Sequence, residues 1–311
     1  MARIAFIGLG HMGGGMAPNL GKAGHEVRAF DLVAEAVQHA AEGGCTPAAS
    51  AAEAVRNADV VITMLPAAKH VRAVYENDVT PNAGPGTLLI DCSTIDVQSA
   101  LEVGDGLKEL GFEFVDAPVS GGIAAAAGGT LTFMVGGTDE AFEHAKPFLE
   151  PMAKAVIHAG RLGAGQAAKI CNNMILGATM VATCEAFALA QKLGLDLQTF
   201  FDISSKASGQ SWSMTSYCPV PGVGPETPAD HDYEGGFAAA LMLKDLRLAA
   251  DAALSVGAYT PMGTEAEELY QRFVDRGGGN KDFSALIKMI DDSWKAPEGE
   301  KHVEPPVTAL D

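Results

Sequence analysis

Ile4-Ala5-Phe6-Ile7 runs directly into Gly8-Leu9-Gly10-His11-Met12-Gly13, and this junction restricts the possible folds more than any other stretch of the chain. A segment apolar at every position reads as a strand buried on both faces, as in a parallel sheet covered by helices. The chain has 36 glycines, so a bare G-x-G-x-x-G match carries little weight. Its placement carries more. The motif follows a buried strand and opens a helix predicted over 12–23, and a second apolar run, Val27–Phe30, follows the Gly24-His25 break. In such a βαβ unit the first glycine permits a tight turn, the second lets a pyrophosphate approach, and the third lets helix pack on strand. The free N–H groups and positive dipole end of the helix then face the phosphates. Asp31, at the end of the second strand, is placed to accept from ribose hydroxyls; the alternative is a solvated turn residue. The unit therefore reads as a dinucleotide site, with NAD as the expected cofactor.

Further strands are predicted at 60–65, 88–91, 112–116 and 131–135, mostly separated by helix-like segments. This alternation indicates an α/β domain with a mainly parallel, doubly wound sheet. After residue 163 the strand signals stop, and alanine- and leucine-rich helical segments follow at 165–193, 236–256, 262–275 and 283–294. The expected organisation is a Rossmann domain over 1–163, an all-helical substrate and oligomerisation domain over 164–294, and a charged, proline-rich, disordered tail over 295–311. Residues 217–235, with Pro219, Pro221, Pro225 and Pro228, form a loop long enough to be expected to cover a site.

A net charge of −18 disfavours nucleic acid and anionic membrane surfaces as partners, so an anionic ligand must be met by local donors. The odd count of five cysteines, without Cys-x-x-Cys spacing, and the absence of a signal-like start lead us to expect a cytoplasmic protein without metal. Asn172, Asn173 and Glu185 interrupt the apolar stretch 170–190, which therefore reads as a helix buried in protein, with a subunit interface expected along it.

Gly163-Ala164-Gly165-Gln166-Ala167-Ala168-Lys169 leads into that helix, and Asn173 stands four residues after Lys169, on the same face. A lysine at the start of an apolar helix is either snorkelling or an acid/base group beside a reacting alcohol, since burial eases proton release from an ammonium.

At this point the chain resembles the β-hydroxyacid dehydrogenase family, from about residue 3 to about residue 290. The resemblance is carried by Phe6–Gly13 with Met16-Ala17 and Asn19-Leu20, by Asp116-Ala117-Pro118-Val119-Ser120-Gly121-Gly122, by Gly163–Asn173, and by Lys244-Asp245-Leu246. It implies that Lys169 is the general acid/base and Asn173 its substrate-orienting partner. It also implies that Ser120, with the N–H groups of Gly121 and Gly122, holds a substrate carboxylate. Gly8, Gly10, His11, Met12, Gly13, Asp31, Leu65, Pro66, His70, Thr94, Phe237 and Lys244 are implied as cofactor contacts. His11 and His70 stand where many members have asparagine. Trp212 and Phe237 are read as walls of an apolar pocket, with plain core aromatics as the alternative. The implied reaction is NAD-dependent oxidation of a small hydroxy acid, 3-hydroxyisobutyrate being the expected substrate, by a homodimer or homotetramer. The rivals are a tartronate or succinate semialdehyde reductase and a non-catalytic nucleotide-binding protein.

No arginine follows Asp31 to receive a 2′-phosphate; the next residues are Leu32, Val33 and Ala34. A carboxylate about 4 Å from that phosphate costs up to ~4 kcal/mol per unit charge at an effective dielectric near 20. We therefore expect kcat/KM with NAD to exceed that with NADP, and Asp31→Asn to narrow the gap. Equal values for the two cofactors in the wild-type protein contradict the assignment.

Overall fold

The computed structural model describes residues 1–295. Its strands are β1 (Arg3–Ile7), β2 (Glu26–Phe30), β3 (Thr46–Pro47), β4 (Val60–Thr63), β5 (Leu88–Asp91), β6 (Glu113–Asp116), β7 (Val119–Ser120), β8 (Leu131–Gly136) and β9 (Ala153–Gly160). They form one sheet in the order β3-β2-β1-β4-β5-β6-β8-β7, with β9 paired to β8. The run from β3 to β6 is parallel, whereas β8 is antiparallel to β6 and β7 and parallel to β9. The strand order reverses between β1 and β4, which opens a crevice at their carboxyl ends.

Apolar residues at every strand position follow from burial on both faces. Ile4, Phe6, Val60, Ile62, Leu88 and Ile90 enter one core with the helix α1 (Gly13–Lys22). Ala5, Ile7, Val61 and Leu89 enter the core on the other face. That second core includes Ala51, Ala54 and Val55 of α2 (Ala51–Val55), and Ala100 and Leu107 of α3 (Val97–Glu109). Each fully buried Val, Leu, Ile or Phe among these contributes roughly 1.5–3 kcal/mol. Strand β9 was not foreseen: its exposed positions alternate with half-buried ones, and Lys154 and His158 break the apolar signal.

Contacts divide the chain into two compact units, with the division falling after Lys169. The second unit is helical among its described residues. It contains most of α4 (Ala164–Lys192), then α5 (Leu197–Ser204), α6 (Trp212–Thr215), α7 (Ala239–Val256), α8 (Pro261–Phe273) and α9 (Leu286–Ile290). Its core gathers Met180, Phe187, Tyr270, Phe273, Phe283 and Leu286. A Cβ on Gly177 would stand 2.9 Å from a Leu246 methyl, so glycine there lets α4 and α7 approach closely.

Two sequence expectations, a helix and a strand, are corrected. The helix expected over 283–294 is a 3₁₀ turn, Phe283–Ala285, followed by the short α9. The predicted strand 60–65 ends at Thr63. The segment 217–235 is anchored in the core of its own unit, where Cys218, Val220, Val223, Ala229 and Tyr233 are buried. The tail expected over 295–311 lies outside the described residues except for Lys295. Helix α4 is long and apolar enough to cross a membrane, but half of its most apolar window is buried in protein. Gln166, Lys169, Asn173 and Thr183 are among its buried residues, and hydrocarbon would leave such groups unsatisfied.

The third glycine of the motif is the tightest point of the α1 turn. A Cβ on Gly13 would lie 1.9 Å from the Gly8 carbonyl oxygen and 3.1 Å from the Phe6 ring. Gly13→Ala should therefore lower the unfolding free energy by about 1–3 kcal/mol, the usual cost of overpacking. Urea titration measures it, and a loss below about 0.5 kcal/mol would show that the turn can yield.

Candidate active site

The carboxyl ends of β1, β2, β4 and β5 bring the glycine motif, Asp31, Leu65, Pro66 and Thr94 to one edge of the sheet, whereas Phe237 and Lys244 belong to the second unit. After β1, Gly8 has φ of 97°, and a Cβ there would meet the Met64 carbonyl oxygen at 2.2 Å, so the turn requires glycine. Gly10 has no atom within 4 Å of a Cβ position and is exposed, leaving open space where the motif needs it. The first and third glycines thus shape the turn, and the second leaves the approach open, a cradle that fits a dinucleotide pyrophosphate. Asp31, after β2, accepts from Leu9 N at 2.7 Å through Oδ2 and from Val33 N at 2.8 Å through Oδ1. Its carboxylate therefore braces the glycine loop as well, and each oxygen keeps a second lone pair for a ribose hydroxyl.

Leu65 and Pro66 follow β4, and Thr94 follows β5. Ser93 Oγ accepts from Leu65 N at 2.8 Å and donates to Asp91 Oδ1 at 2.6 Å, while Thr63 Oγ1 donates to the same oxygen at 2.7 Å. This fully buried cluster locks together the two loops that carry Leu65 and Thr94. Burial pushes the Asp91 carboxyl up, partly offset by the Ser93 and Thr63 hydrogen bonds. His11 and His70 are both exposed, His70 on a short helix over Ala68–Val74.

Ser120 ends β7, and Gly121 and Gly122 follow with φ of 141° and 78°. A Cβ on Gly121 would also meet the Ala125 methyl at 2.7 Å. The backbone therefore turns sharply beside the Ser120 hydroxyl, in a conformation that side chains other than hydrogen strain.

Helix α4 begins where Asp116, at the end of β6, receives it. Gly163 N donates to Asp116 Oδ1 at 2.7 Å and Gln166 N donates to Oδ2 at 2.8 Å. One carboxylate from a distant strand thus satisfies two N–H groups of the helix start, as a local cap would. Burial pushes the Asp116 carboxyl up to about 6, against the two backbone hydrogen bonds that favour its anion. Three glycines make room: a Cβ on Gly136 would lie 2.3 Å from Asp116 Oδ1, one on Gly165 2.3 Å from the Met134 carbonyl oxygen, and Gly163 has φ of 83°. Lys169, one turn along, is 9% exposed.

In the second unit, the amide of buried Asn173 is fixed from both sides. Nδ2 donates to Asp245 Oδ2 at 2.5 Å, and Oδ1 accepts from Asn172 Nδ2 at 3.0 Å. Asp245 is also buried, and its Oδ1 lies 3.4 Å from Lys244 Nζ. Trp212 is not a core aromatic: it is 48% exposed and stacks on Tyr217 with ring centres 4.9 Å apart. Asp282, fully buried, accepts from Tyr217 OH at 2.9 Å and from Phe237 N at 2.7 Å, so one carboxylate holds the ring on which Trp212 stacks and the backbone of Phe237.

Comparison with known proteins agrees with this architecture. Residues 3–160 match the family described as the NAD-binding domain of 6-phosphogluconate dehydrogenase. Residues 163–290 match the family described as NAD-binding of NADP-dependent 3-hydroxyisobutyrate dehydrogenase. The 3-hydroxyisobutyrate dehydrogenase of Pseudomonas aeruginosa is 46% identical over 93% of this chain and 98% of its own. The chain belongs to the 3-hydroxyisobutyrate dehydrogenase family. Another relative from the same organism, an NAD-dependent L-serine dehydrogenase, is 48% identical over 94% of this chain and 98% of its own. A solved structure described as Mycobacterium tuberculosis 3-hydroxyisobutyrate dehydrogenase with L-serine superposes with a TM-score of 0.87 at 49% identity, covering 93% of this chain and 99% of the other. Membership of the 3-hydroxyisobutyrate dehydrogenase family makes the protein an NAD-dependent oxidoreductase, and it does not favour the semialdehyde reductase reading.

Asp116, Gln166 and Asp245 stand inside the sequence motifs but have no role assigned from sequence, and Ser93, Tyr217 and Asp282 lie outside them. Two glycines just before a polar residue, as in Gly163-Ala164-Gly165-Gln166, were the available signal for the Asp116 cap. Asp282 caps the short turn that follows it through Ser284, but its bonds to Tyr217 and Phe237 reach far away in sequence and left no local signal.

Because the Asp116 carboxyl is raised, the folded state holds its proton more tightly than the unfolded chain does. Its contribution to stability is therefore greatest below the unfolded value near 4 and is lost as pH rises through about 6. Relative to Asp116→Asn, which does not titrate, the wild-type protein should lose about 1–1.5 kcal/mol between about pH 5 and pH 7.5. Urea unfolding of both proteins across that range checks this, and a constant difference contradicts it.

Proposed function

We propose that the protein oxidises 3-hydroxyisobutyrate to methylmalonate semialdehyde with NAD, in the breakdown of valine. The carrying observation is Lys169, buried one turn into a helix whose start is clamped to the sheet edge that bears the glycine motif. In this reading the substrate carboxylate docks on Ser120 and the N–H groups of Gly121 and Gly122, and Trp212 lines the side of the pocket. Gly8, Gly10, His11, Met12, Gly13, Asp31, Leu65, Pro66, His70, Thr94, Phe237 and Lys244 form the cofactor side. Asn173, its amide oriented by Asp245 and Asn172, keeps one N–H for the substrate hydroxyl. NAD supplies the acceptor for the hydride that leaves the carbinol carbon. Lys169, with its amine neutral, takes the hydroxyl proton as the carbon–oxygen double bond forms, so that no free alkoxide builds up.

A second reading is favoured by the relatives named for L-serine. Serine and 3-hydroxyisobutyrate share a carboxylate and a hydroxymethyl group on the same carbon and differ only in ammonium against methyl. Apolar packing on the Trp212–Tyr217 stack supports the methyl substrate, whereas an ammonium would need an acceptor there. We further propose a cytoplasmic homo-oligomer with a cofactor domain over 1–163 and a substrate and oligomerisation domain over 164–294. Ile175 and Leu189, 61% and 58% exposed on α4, support an apolar contact between subunits.

Lys169→Ala should lower kcat by ~10²–10⁴ and leave NAD affinity nearly intact. Reduced-cofactor absorbance with 3-hydroxyisobutyrate and L-serine measures turnover on both proteins. A variant within tenfold of wild type removes Lys169 from the chemistry, and a wild-type kcat/KM higher for L-serine than for 3-hydroxyisobutyrate selects the second reading.

A further inference from the structure

Gln166 is completely buried, and its side chain spans two backbone groups on either side of Thr94. Nε2 donates to the Ser93 carbonyl oxygen at 2.7 Å, and Oε1 accepts from Ile95 N at 3.1 Å. Its own backbone N–H is the second of the two groups held by Asp116. Lys169 follows three residues later on the same side of α4. One residue therefore connects three parts of the first unit: the end of β6, the loop after β5 and the helix turn that presents Lys169.

We propose that Gln166 is a positioning residue for hydride transfer, holding the Thr94 loop in register with the turn of α4 that carries Lys169. This inference rests on the proposed roles of Lys169 and Thr94. The amide is suited to the task because it supplies a donor and an acceptor from one rigid plane. It can satisfy a carbonyl and an N–H two residues apart, and a shift of either partner is felt at both. An apolar residue of the same length would fill the space and leave both backbone groups unpaired. Thr94 would then be free to drift against Lys169 by a few tenths of an ångström, a displacement that slows a step requiring aligned reacting atoms.

The test is Gln166→Met, which keeps length and volume but loses both bonds. Turnover is measured on 3-hydroxyisobutyrate, and on L-serine, with and without deuterium on the carbinol carbon. We expect kcat to fall about ten- to a hundredfold, the scale of loss from misplacing reacting groups by up to about 1 Å. KM and NAD affinity should stay within about threefold, and the primary isotope effect on kcat should rise above the wild-type value as hydride transfer becomes limiting. A fall in kcat that only follows the fraction of folded protein, with the wild-type isotope effect, overturns the proposal, as does an unchanged kcat. If Gln166→Met does not fold, Gln166→Glu decides. Its protonated acid can still donate to Ser93, so kcat per folded enzyme and the isotope effect should approach wild type as pH falls, and a pH profile parallel to wild type overturns the proposal. Lys169→Ala separates the two readings: an active Lys169→Ala enzyme removes the reaction scheme itself, whereas an inactive one beside a fully active Gln166→Met removes only the role of Gln166.

Discussion

The Asp116 carboxylate is the interaction on which the site depends. A 29-residue helix that starts against a sheet edge must satisfy its first N–H groups there, out of reach of water. Asp116 does so with both oxygens, from a strand 47 residues away in sequence from Gly163. The carboxylate loses hydration on burial and recovers part of that loss through two short backbone hydrogen bonds. Glycine at 136, 163 and 165 is the steric condition for the contact, because a side chain at any of them would strike the carboxylate, strike the sheet backbone or strain the turn.

From this contact the remaining geometry follows. Helix α4 carries Gln166, Lys169 and Asn173 at spacings of three and four, so one element presents all three along one side. Polar clusters brace other proposed site residues within each unit: Asp91, Thr63 and Ser93 join the loops after β4 and β5, Asp31 braces the glycine turn, and in the second unit Asp245 and Asn172 fix the Asn173 amide. Each of these acids accepts at least one hydrogen bond from a group at, or adjoining, a proposed ligand position. Much of the buried acidity of a strongly acidic protein is therefore used to fix backbone and side chains around the site, and binding of an anion is left to short-range N–H and hydroxyl donors.

The substrate question reduces to one substituent. A methyl and an ammonium have nearly the same size, so shape alone discriminates weakly between 3-hydroxyisobutyrate and L-serine. What differs is hydration. If the substituent lies against the Trp212–Tyr217 stack, as proposed, an ammonium there must lose water or gain an attraction to the ring faces, whereas a methyl loses nothing. The stack is held by the Tyr217 hydroxyl on buried Asp282, which also holds the backbone of Phe237.

The parallel core of the sheet, the glycine turn, the helical second half and the same-face placement of Lys169 and Asn173 were legible in the sequence. They rest on local rules: apolar runs for strands buried on two faces, glycine where a backbone must turn or be approached, and helical spacing. The edge strand β9 and the short turns replacing the helix expected over 283–294 were not legible, because half-exposed strands and single-turn helices leave little periodic pattern. The roles of Asp116, Gln166, Asp245 and Asp282 were decided only by tertiary structure. Each has at least one partner many residues away in sequence, and a buried polar side chain has no pattern of its own until folding brings it to the distant groups that it satisfies.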